Sequence, residues 1–552
     1  AMKNYHYRDI QNFSNKTSKY KAEFILKINS PKETQCEVLK DLERITKNAL
    51  YWCQNGANLS SLDDFKKSVC ISDYSAFTNA IEKEIITKGG VLTNSPVIRW
   101  LKTSGTTGNP KYIPYTYHWL EKYRVPAMYA MWDTFISACP HILTHRYSVL
   151  DTQTTREIVK PNINGLTHQS ISNRYPYAGN GDWTPPWNTE PWYNEKMPSE
   201  HDARSYARLR YFIGEDLRAI TAINPSMIIS LYDKLKSFQT QLIRDLHDGT
   251  FNGANVNGLF LPNPGKAKEI EGKFKSDNFT LCDIWPHLKF YSCWCSAGAS
   301  HYIPKVNKLI PNATIVPFMT CGTEGVITIP ICPEIESQPL AINQAIYEFI
   351  PVEIEPDIWL GKYERNTLSP MELEVGKRYH IIMSQAHGLL RLWTGDIIEV
   401  TDINPAGTPW VVFIERYGIF NSFTGEKLTH HDISIAFDKT FKKLGCQKSP
   451  YIIAPKWAET PYYICAIEQS NNIDPDDFSE QLDIEISSIN IEYLSKRQSS
   501  RLGMPKTTIV KPDMLRQYFE NNRCGENGNQ HKFKHHQNDS SIIEKLRGTG
   551  NV

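Results

Sequence analysis

Nine consecutive residues, Thr103-Ser104-Gly105-Thr106-Thr107-Gly108-Asn109-Pro110-Lys111, restrict this chain more than any others. They hold two glycines, three threonines, a serine and a lysine, and they follow the apolar run Val97, Ile98 and Trp100. Glycines let backbone N–H groups converge on an anion, hydroxyls add donors, and the lysine adds a full charge. The pattern GxxxxGK[ST] cannot be laid on the run, so it is not a Walker A loop. A polar hairpin turn is the plain alternative, but a turn needs no four hydroxyls closed by Pro-Lys. The segment reads as a phosphate-binding loop.

What surrounds the loop bounds the protein class. At 552 residues the chain exceeds one compact core, so two or three domains are expected. Lys+Arg number 61 and Asp+Glu 60, which excludes the clustered positive excess of a nucleic-acid surface. No apolar stretch approaches the roughly 20 residues that span a bilayer, so no membrane partner is expected. The polar start AMKNYHYRDI has no apolar h-region, and secretion is not indicated. Twelve cysteines are too sparse for a disulfide scaffold, and Cys293 and Cys295 sit among Phe290, Tyr291 and Trp294, as on a buried strand. A reducing cytoplasm fits best.

Helical and strand periods alternate along the chain, which predicts an α/β fold. Val38, Leu39, Leu42, Ile45 and Leu50 fall at helical spacing. So do Leu209, Phe212, Ile213, Leu217 and Ile220 before Asn224-Pro225, and Ile228, Leu231, Leu235, Phe238 and Leu242 after it, with Ser226 placed to cap the second helix. Strands are predicted at Lys289–Cys295, Ala313–Phe318, Tyr379–Met383, Asp396–Val400 and Trp410–Ile414. The Pro-, Gly- and Trp-rich stretch from Asn173 to Asp202 reads as a functional loop or a surface excursion. Beyond Tyr417 the pattern restarts, with a strand at Tyr462–Ile467, a helix from Phe478 to Leu494, a strand at Thr507–Val510 and a helix from Pro512 to Asn521. The last 30 residues are polar and are expected to be partly mobile.

T-S-G-T-T-G-N-P-K resembles the signature loop of the adenylate-forming superfamily, which includes acyl-CoA synthetases, luciferases and nonribosomal adenylation domains. Within it the chain is most similar to the Gretchen Hagen family of acyl-acid amido synthetases, the auxin- and jasmonate-conjugating enzymes and their bacterial relatives. Two stretches carry that likeness: IWPHLKFYSCWCSAGASHYIPKVNKLIPNATIVPFMTCGTEGVITIP (284–330) and VGKRYHIIMSQAHGLLRLWTGDIIEV (375–400). The resemblance implies a large N-terminal adenylation domain (1–416) of mixed sheets and helices. A hinge (417–425) and a smaller mobile α/β C-terminal domain (426–552) follow.

It also implies roles. Thr103, Ser104, Gly105, Thr106, Thr107, Gly108 and Lys111 would hold the ATP phosphates. Glu324, in the Gly322-Thr323-Glu324-Gly325 setting, would bind Mg²⁺, a hard cation that takes oxygen ligands. The Thr323 hydroxyl would touch phosphate. Ser296, Ala297, Gly298 and Ala299, with Ser300, match a small-residue turn against the base, where small side chains allow close approach. Thr320 stands where the family usually has the tyrosine that packs on adenine. Asp396 and Arg416 match the pair of groups that reach the ribose, and Gly425-Glu426-Lys427-Leu428 with Asp432 resembles the hinge and domain opening. Lys532, in Asn529-Gln530-His531-Lys532-Phe533-Lys534, matches a C-terminal lysine that offsets charge as carboxylate attacks the α-phosphate, although the family's following proline-arginine is replaced here.

The implied reaction uses ATP and Mg²⁺ to form an acyl-AMP, which an amine, such as an amino acid, then opens to an amide. A thioester ligase using coenzyme A or a carrier-protein thiol would need the same adenylation residues. A non-catalytic nucleotide-binding scaffold is the third reading, against which Lys111, Glu324 and Asp396 stand together. His430-His431-Asp432 lacks the spacing of an acyltransferase HHxxxDG, and His535-His536 lacks thiol or carboxylate partners for a metal.

Overall fold

The alternating periods become helices and sheets in the computed structural model. It describes residues 7–87, 89–103, 111–145, 147–152, 168–169, 185, 198, 200–223, 225–296, 299–300, 302–421, 426, 428–458, 460–470, 472–521, 535–537 and 540–549. The chain forms two compact units. The first comprises Ala1–Trp294, Asn307–Thr394 and Ile398–Val412; the second comprises Cys295–Val306, Gly395–Ile397 and Phe413–Val552. No helix of the described residues is long and apolar enough to cross a membrane.

In the first unit, helix Tyr7–Ile28 buries Phe13, Thr17, Phe24 and Ile28, one face at steps of four and seven. That face packs on helix Val125–Ala138, where Tyr20 stacks on Tyr129 with ring centroids 5.6 Å apart. Pro31 opens the next helix, Pro31–Thr46, at a position where its missing N–H costs nothing. Leu50 falls outside that helix and begins the short Leu50–Gln54, 37% exposed.

A four-stranded parallel sheet runs in the order Val149–Asp151, Ala219–Thr221, Phe290–Cys293, Thr314–Pro317. Its strands are apolar on both faces because helices cover both. The predicted helix from Leu209 to Ile220 is corrected here: helix His201–Phe212 ends, and Ile220 lies on an inner strand. Gly214 lies in the turn between them, where a Cβ would come 2.8 Å from Leu246 Cδ1. Ser226 is likewise the first helical residue of Ser226–Ser237, with Pro225 at the cap position, and Leu242 belongs to a separate helix, Gln239–Asp248. Cys293 is fully buried on its strand, whereas Cys295 lies past the strand end and is only partly buried.

Strands Val97–Thr103 and Lys111–Thr116 pair antiparallel, with Thr103 directly opposite Lys111. The glycine- and hydroxyl-rich segment therefore joins the two arms of a hairpin, although residues 104–110 lie outside the described residues. A five-stranded sheet has the order Gln338–Pro339, Pro409–Arg416, Leu392–Ile403, Arg378–Ser384, Ile346–Pro351. It is tied to the neighbouring loops by Arg391. This fully buried guanidinium forks onto Glu348 at 2.8 and 3.0 Å and donates to the carbonyls of Val69 and Glu364.

The second unit centres on a three-stranded sheet, Tyr451–Lys456, Tyr462–Glu468 and Lys506–Val510. Tyr451, Ile453, Tyr463, Cys465 and Ile467 face one core with Phe437, Phe441 and Phe478. Ile452, Ala454, Ile464 and Ala466 face another with Leu515, Phe519, Ile543 and Leu546. Successive strand side chains point oppositely, so a continuous apolar run fills both layers. The predicted helix Phe478–Leu494 is two helices, Pro475–Ile489 and Ile491–Gln498. Extended Asn490 separates them and caps the second by accepting from Tyr493 N–H. The polar tail also holds a helix, Ser541–Thr549, docked through Ile543 and Leu546.

Candidate active site

Strands Cys321–Gly322 and Gly325–Val326 pair with Gly322 opposite Gly325, leaving Thr323-Glu324 as a two-residue turn. Both residues are buried, and the Thr323 hydroxyl donates to Glu324 Oε2 at 3.3 Å. The flanking glycines are required by space. A Cβ at 322 would lie 2.6 Å from Glu324 Oε2, and one at 325 would run into the Gln385 amide. Thr320 sits at the base of the same hairpin, its carbonyl accepting from Ile327 and Thr328 N–H. His387 Nε2 lies 2.9 Å from the Glu324 carbonyl, and Gln385 Nε2 donates to the same oxygen. Burial pushes the His387 imidazole down to about 4, so it is neutral.

Lys111, in the same unit, lies over the ring of Tyr74. Its ammonium lies 5.5 Å from the Tyr74 ring centroid, within cation–π range. The Tyr74 hydroxyl accepts from Tyr112 N–H at 2.7 Å and donates to Tyr112 carbonyl at 3.0 Å, pinning the ring to the strand that begins with Lys111. Burial pushes the Tyr74 phenol up to about 12, and the negative charge of Glu324 contributes to the rise.

In the second unit, Arg416 Nε meets Asp396 Oδ1 at 3.1 Å. The sequence pattern predicts a strand beginning at Asp396; in the fold Asp396 lies inside the longer strand Leu392–Ile403, and Arg416 ends Pro409–Arg416. Gly395 before it has φ +89°, a left-handed conformation open to glycine, and its carbonyl accepts from Tyr417 N–H. The small-residue turn is closed by Ala299 N–H donating to the Ser296 carbonyl at 3.2 Å, and it leads into helix Ile303–Leu309.

Three family models match in chain order: the GH3 family N-terminal domain over residues 20–315, the central domain over 338–416 and the C-terminal domain over 431–541. The chain belongs to the GH3 family. Relatives within it are distant in sequence. "Indole-3-acetic acid-amido synthetase GH3.10" of Arabidopsis thaliana is 22% identical over 80% of each chain. "Jasmonoyl--L-amino acid synthetase GH3.5" of Oryza sativa subsp. japonica is 20% identical over 78% of each. The match to "Indole-3-acetic acid-amido synthetase GH3.4" of Arabidopsis thaliana, 23% identical, spans 54% of this chain and 53% of that one, about half its length. Among solved structures, "AtGH3.15 acyl acid amido synthetase in complex with 2,4-DB" superposes with a TM-score of 0.78 at 17% identity, over 97% of this chain and 96% of that one. The GH3 fold is shared across nearly the whole length of the chain.

Within this GH3 chain, Lys111, Thr320, Gly322, Thr323 and Glu324 gather in the first unit, and Asp396 and Arg416 form one pair in the second. Ser104, Gly105, Thr106, Thr107, Gly108, Ala297, Gly298, Lys532, most of Asn173–Asp202 and the proposed hinge residues 422–425 lie outside the described residues. Glu426 is buried and accepts from the Tyr463 hydroxyl at 3.0 Å, and Asp432 caps the first turn of helix His430–Lys443. Sequence reasoning missed Tyr74, Gln385 and His387. Tyr74 stands in a polar loop-like run with no motif around it. Gln385 and His387 lie inside a stretch legible only for its Gly-Leu-x-Arg and Gly-Asp pairs.

Proposed function

We propose that this chain joins a carboxylic acid to an amine, an amino acid, through an acyl-adenylate formed from ATP. In the first half, a carboxylate oxygen attacks the α-phosphorus, the bond to the β-phosphate oxygen breaks, and pyrophosphate leaves. In the second, the amine attacks the acyl carbon, AMP leaves, and the ammonium proton passes to solvent. No covalent enzyme nucleophile is needed, since the adenylate is already activated; holding the reactants and excluding water are the main tasks.

The observation that carries this reading is the hairpin that sets Thr103 opposite Lys111, with the Lys111 ammonium over the Tyr74 ring, together with the buried Thr323-Glu324 turn of the same unit. Thr103, Ser104, Gly105, Thr106, Thr107, Gly108 and Lys111 hold the phosphates, and the Thr323 hydroxyl assists. Among the described residues no three His, Cys, Asp or Glu side chains gather as a metal cage. A buried carboxylate beside a hydroxyl instead fits Mg²⁺, which is commonly held by one or two carboxylates plus substrate phosphates. Bound there, Mg²⁺ supplies charge neutralisation of the triphosphate. Asp396 and Arg416 hold the ribose, and Ser296, Ala297, Gly298, Ala299 and Thr320 border the base. Lys532 offsets charge at the α-phosphate, and residues 426–552 move about a hinge at 417–425. The relatives' names make indole-3-acetic acid and jasmonic acid the first acids to test.

Acid-dependent exchange of pyrophosphate into ATP measures the first half alone. Asp396→Ala is expected to abolish exchange while circular dichroism and melting temperature stay unchanged; retained exchange refutes the nucleotide assignment. For the second half, amino acids, coenzyme A and a holo-carrier protein are offered to the loaded enzyme. Amide product with an amino acid supports the reading, and thioester as the sole product overturns it.

A further inference from the structure

The carbonyls of the Thr323-Glu324 turn are gripped from the core side by side chains of four separate segments. Arg124 donates to the Gly322 carbonyl at 3.4 Å, and the Tyr115 hydroxyl donates to that of Thr323 at 3.0 Å. Gln385 and His387 both donate to that of Glu324, and the Tyr347 hydroxyl donates to that of Val326 at 2.6 Å. In a trans peptide the N–H points opposite to the C=O. Carbonyls held inward therefore turn the N–H groups of Thr323 and Glu324 to the opposite face.

The Glu324 carbonyl is the one with two donors, and both come at a cost. Gln385 is buried, and among the described residues its Oε1 has no hydrogen-bond partner; an apolar residue of equal size would avoid that penalty. His387 is fully buried and edge-on to Trp119, with ring centroids 4.7 Å apart. Leu389 N–H donates to His387 Nδ1 at 3.1 Å, so the ring's own hydrogen must sit on Nε2, the atom facing Glu324. The tautomer is thus set by a backbone amide two residues along, and the donor is fixed in direction. Gln385 also fills the space over Gly325, so the turn cannot rotate toward it.

We infer that His387 and Gln385 are positioning residues for Glu324: by holding its carbonyl from behind they aim its carboxylate at the Mg²⁺ of the bound nucleotide. This rests on the assignment of Glu324 as the metal ligand. Groups that orient a ligand from behind typically change metal affinity by 10- to 100-fold when removed.

The test uses the full chain, Mn²⁺ as the spectroscopic metal and a non-hydrolysable α,β-methylene ATP. Electron paramagnetic resonance reads Mn²⁺ affinity without turnover, and melting temperature is recorded for every variant. His387→Leu and Gln385→Leu are each expected to weaken Mn²⁺ binding about tenfold. His387→Gln, which keeps a donor at the same reach, is expected to stay within about threefold of wild type. If His387→Leu does not fold, Gln385→Leu, of similar size, carries the comparison alone. Wild-type Mn²⁺ affinity in the folded leucine variants overturns the inference, as does equal loss in His387→Gln and His387→Leu. Glu324→Gln separates the two levels. If it binds Mn²⁺ as wild type does, the ligand assignment falls and the inference with it. If it binds weakly while the leucine variants bind normally, the inference alone fails.

Discussion

Two ion pairs stand five residues apart on one stretch of chain and behave as opposites. Arg391 and Glu348, at 0% and 2% side-chain exposure, lie in the first unit and are saturated by further bonds to the Val69 and Glu364 carbonyls and the Thr367 hydroxyl. Arg416 and Asp396 lie in the second unit, with Arg416 41% exposed. A buried pair must satisfy every donor or become a burden, and a half-exposed pair is screened and can exchange partners. The contrast is one of solvation: the first arginine is consumed by the fold, and the second keeps part of its guanidinium in solvent.

The contrast can be broken most strongly at the buried pair. Arg391→Met or Glu348→Gln alone strands a buried charge and is expected to cost about 3–5 kcal/mol in urea unfolding. Replacing both with apolar residues of similar size is expected to recover most of that loss; no recovery would mean the pair also serves the site. Next comes Asp41, a buried carboxylate in the first unit. Burial alone would raise its pKa, but His118, Tyr123 and Arg44 outweigh it and hold the carboxyl well below the usual range. A depressed folded pKa contributes stability that is present above the unfolded value of about 3.8 and is lost as pH falls below it. Asp41→Asn is therefore expected to cost about 2 kcal/mol at pH 7, with the gap from wild type narrowing between about pH 4 and pH 2 in the same assay. Smallest in stability is Arg416→Ala, at less than about 1 kcal/mol. Its effect is expected in kinetics, as a KM for ATP raised on the order of tenfold with kcat less affected, since a lost charge-assisted bond to substrate has that size. A large drop in melting temperature instead would make Arg416 a second scaffold arginine.

Legibility in the sequence followed the range of the cause. The strands predicted at Tyr379–Met383 and Asp396–Val400 lie within the observed Arg378–Ser384 and Leu392–Ile403, because burial on both faces writes a continuous apolar segment. Leu217 and Ile220 misled because a short apolar run satisfies helical spacing as readily as a strand. The tail helix was hidden by polar neighbours, although Ile542, Ile543 and Leu546 do repeat at three and four. Of the candidate site, the hydroxyl-rich segment announces itself by composition, and Thr323, Glu324, Asp396 and Arg416 only through the family resemblance.

Residue type and order alone were enough for the family and for the α/β fold class. The pairing of Asp396 with Arg416, of Lys111 with the Tyr74 ring, and of His387 and Gln385 with the Glu324 carbonyl 63 and 61 residues away exists only in the folded chain. Composition records which groups a chain owns, whereas hydrogen bonds between distant segments exist only after the core has brought those segments together.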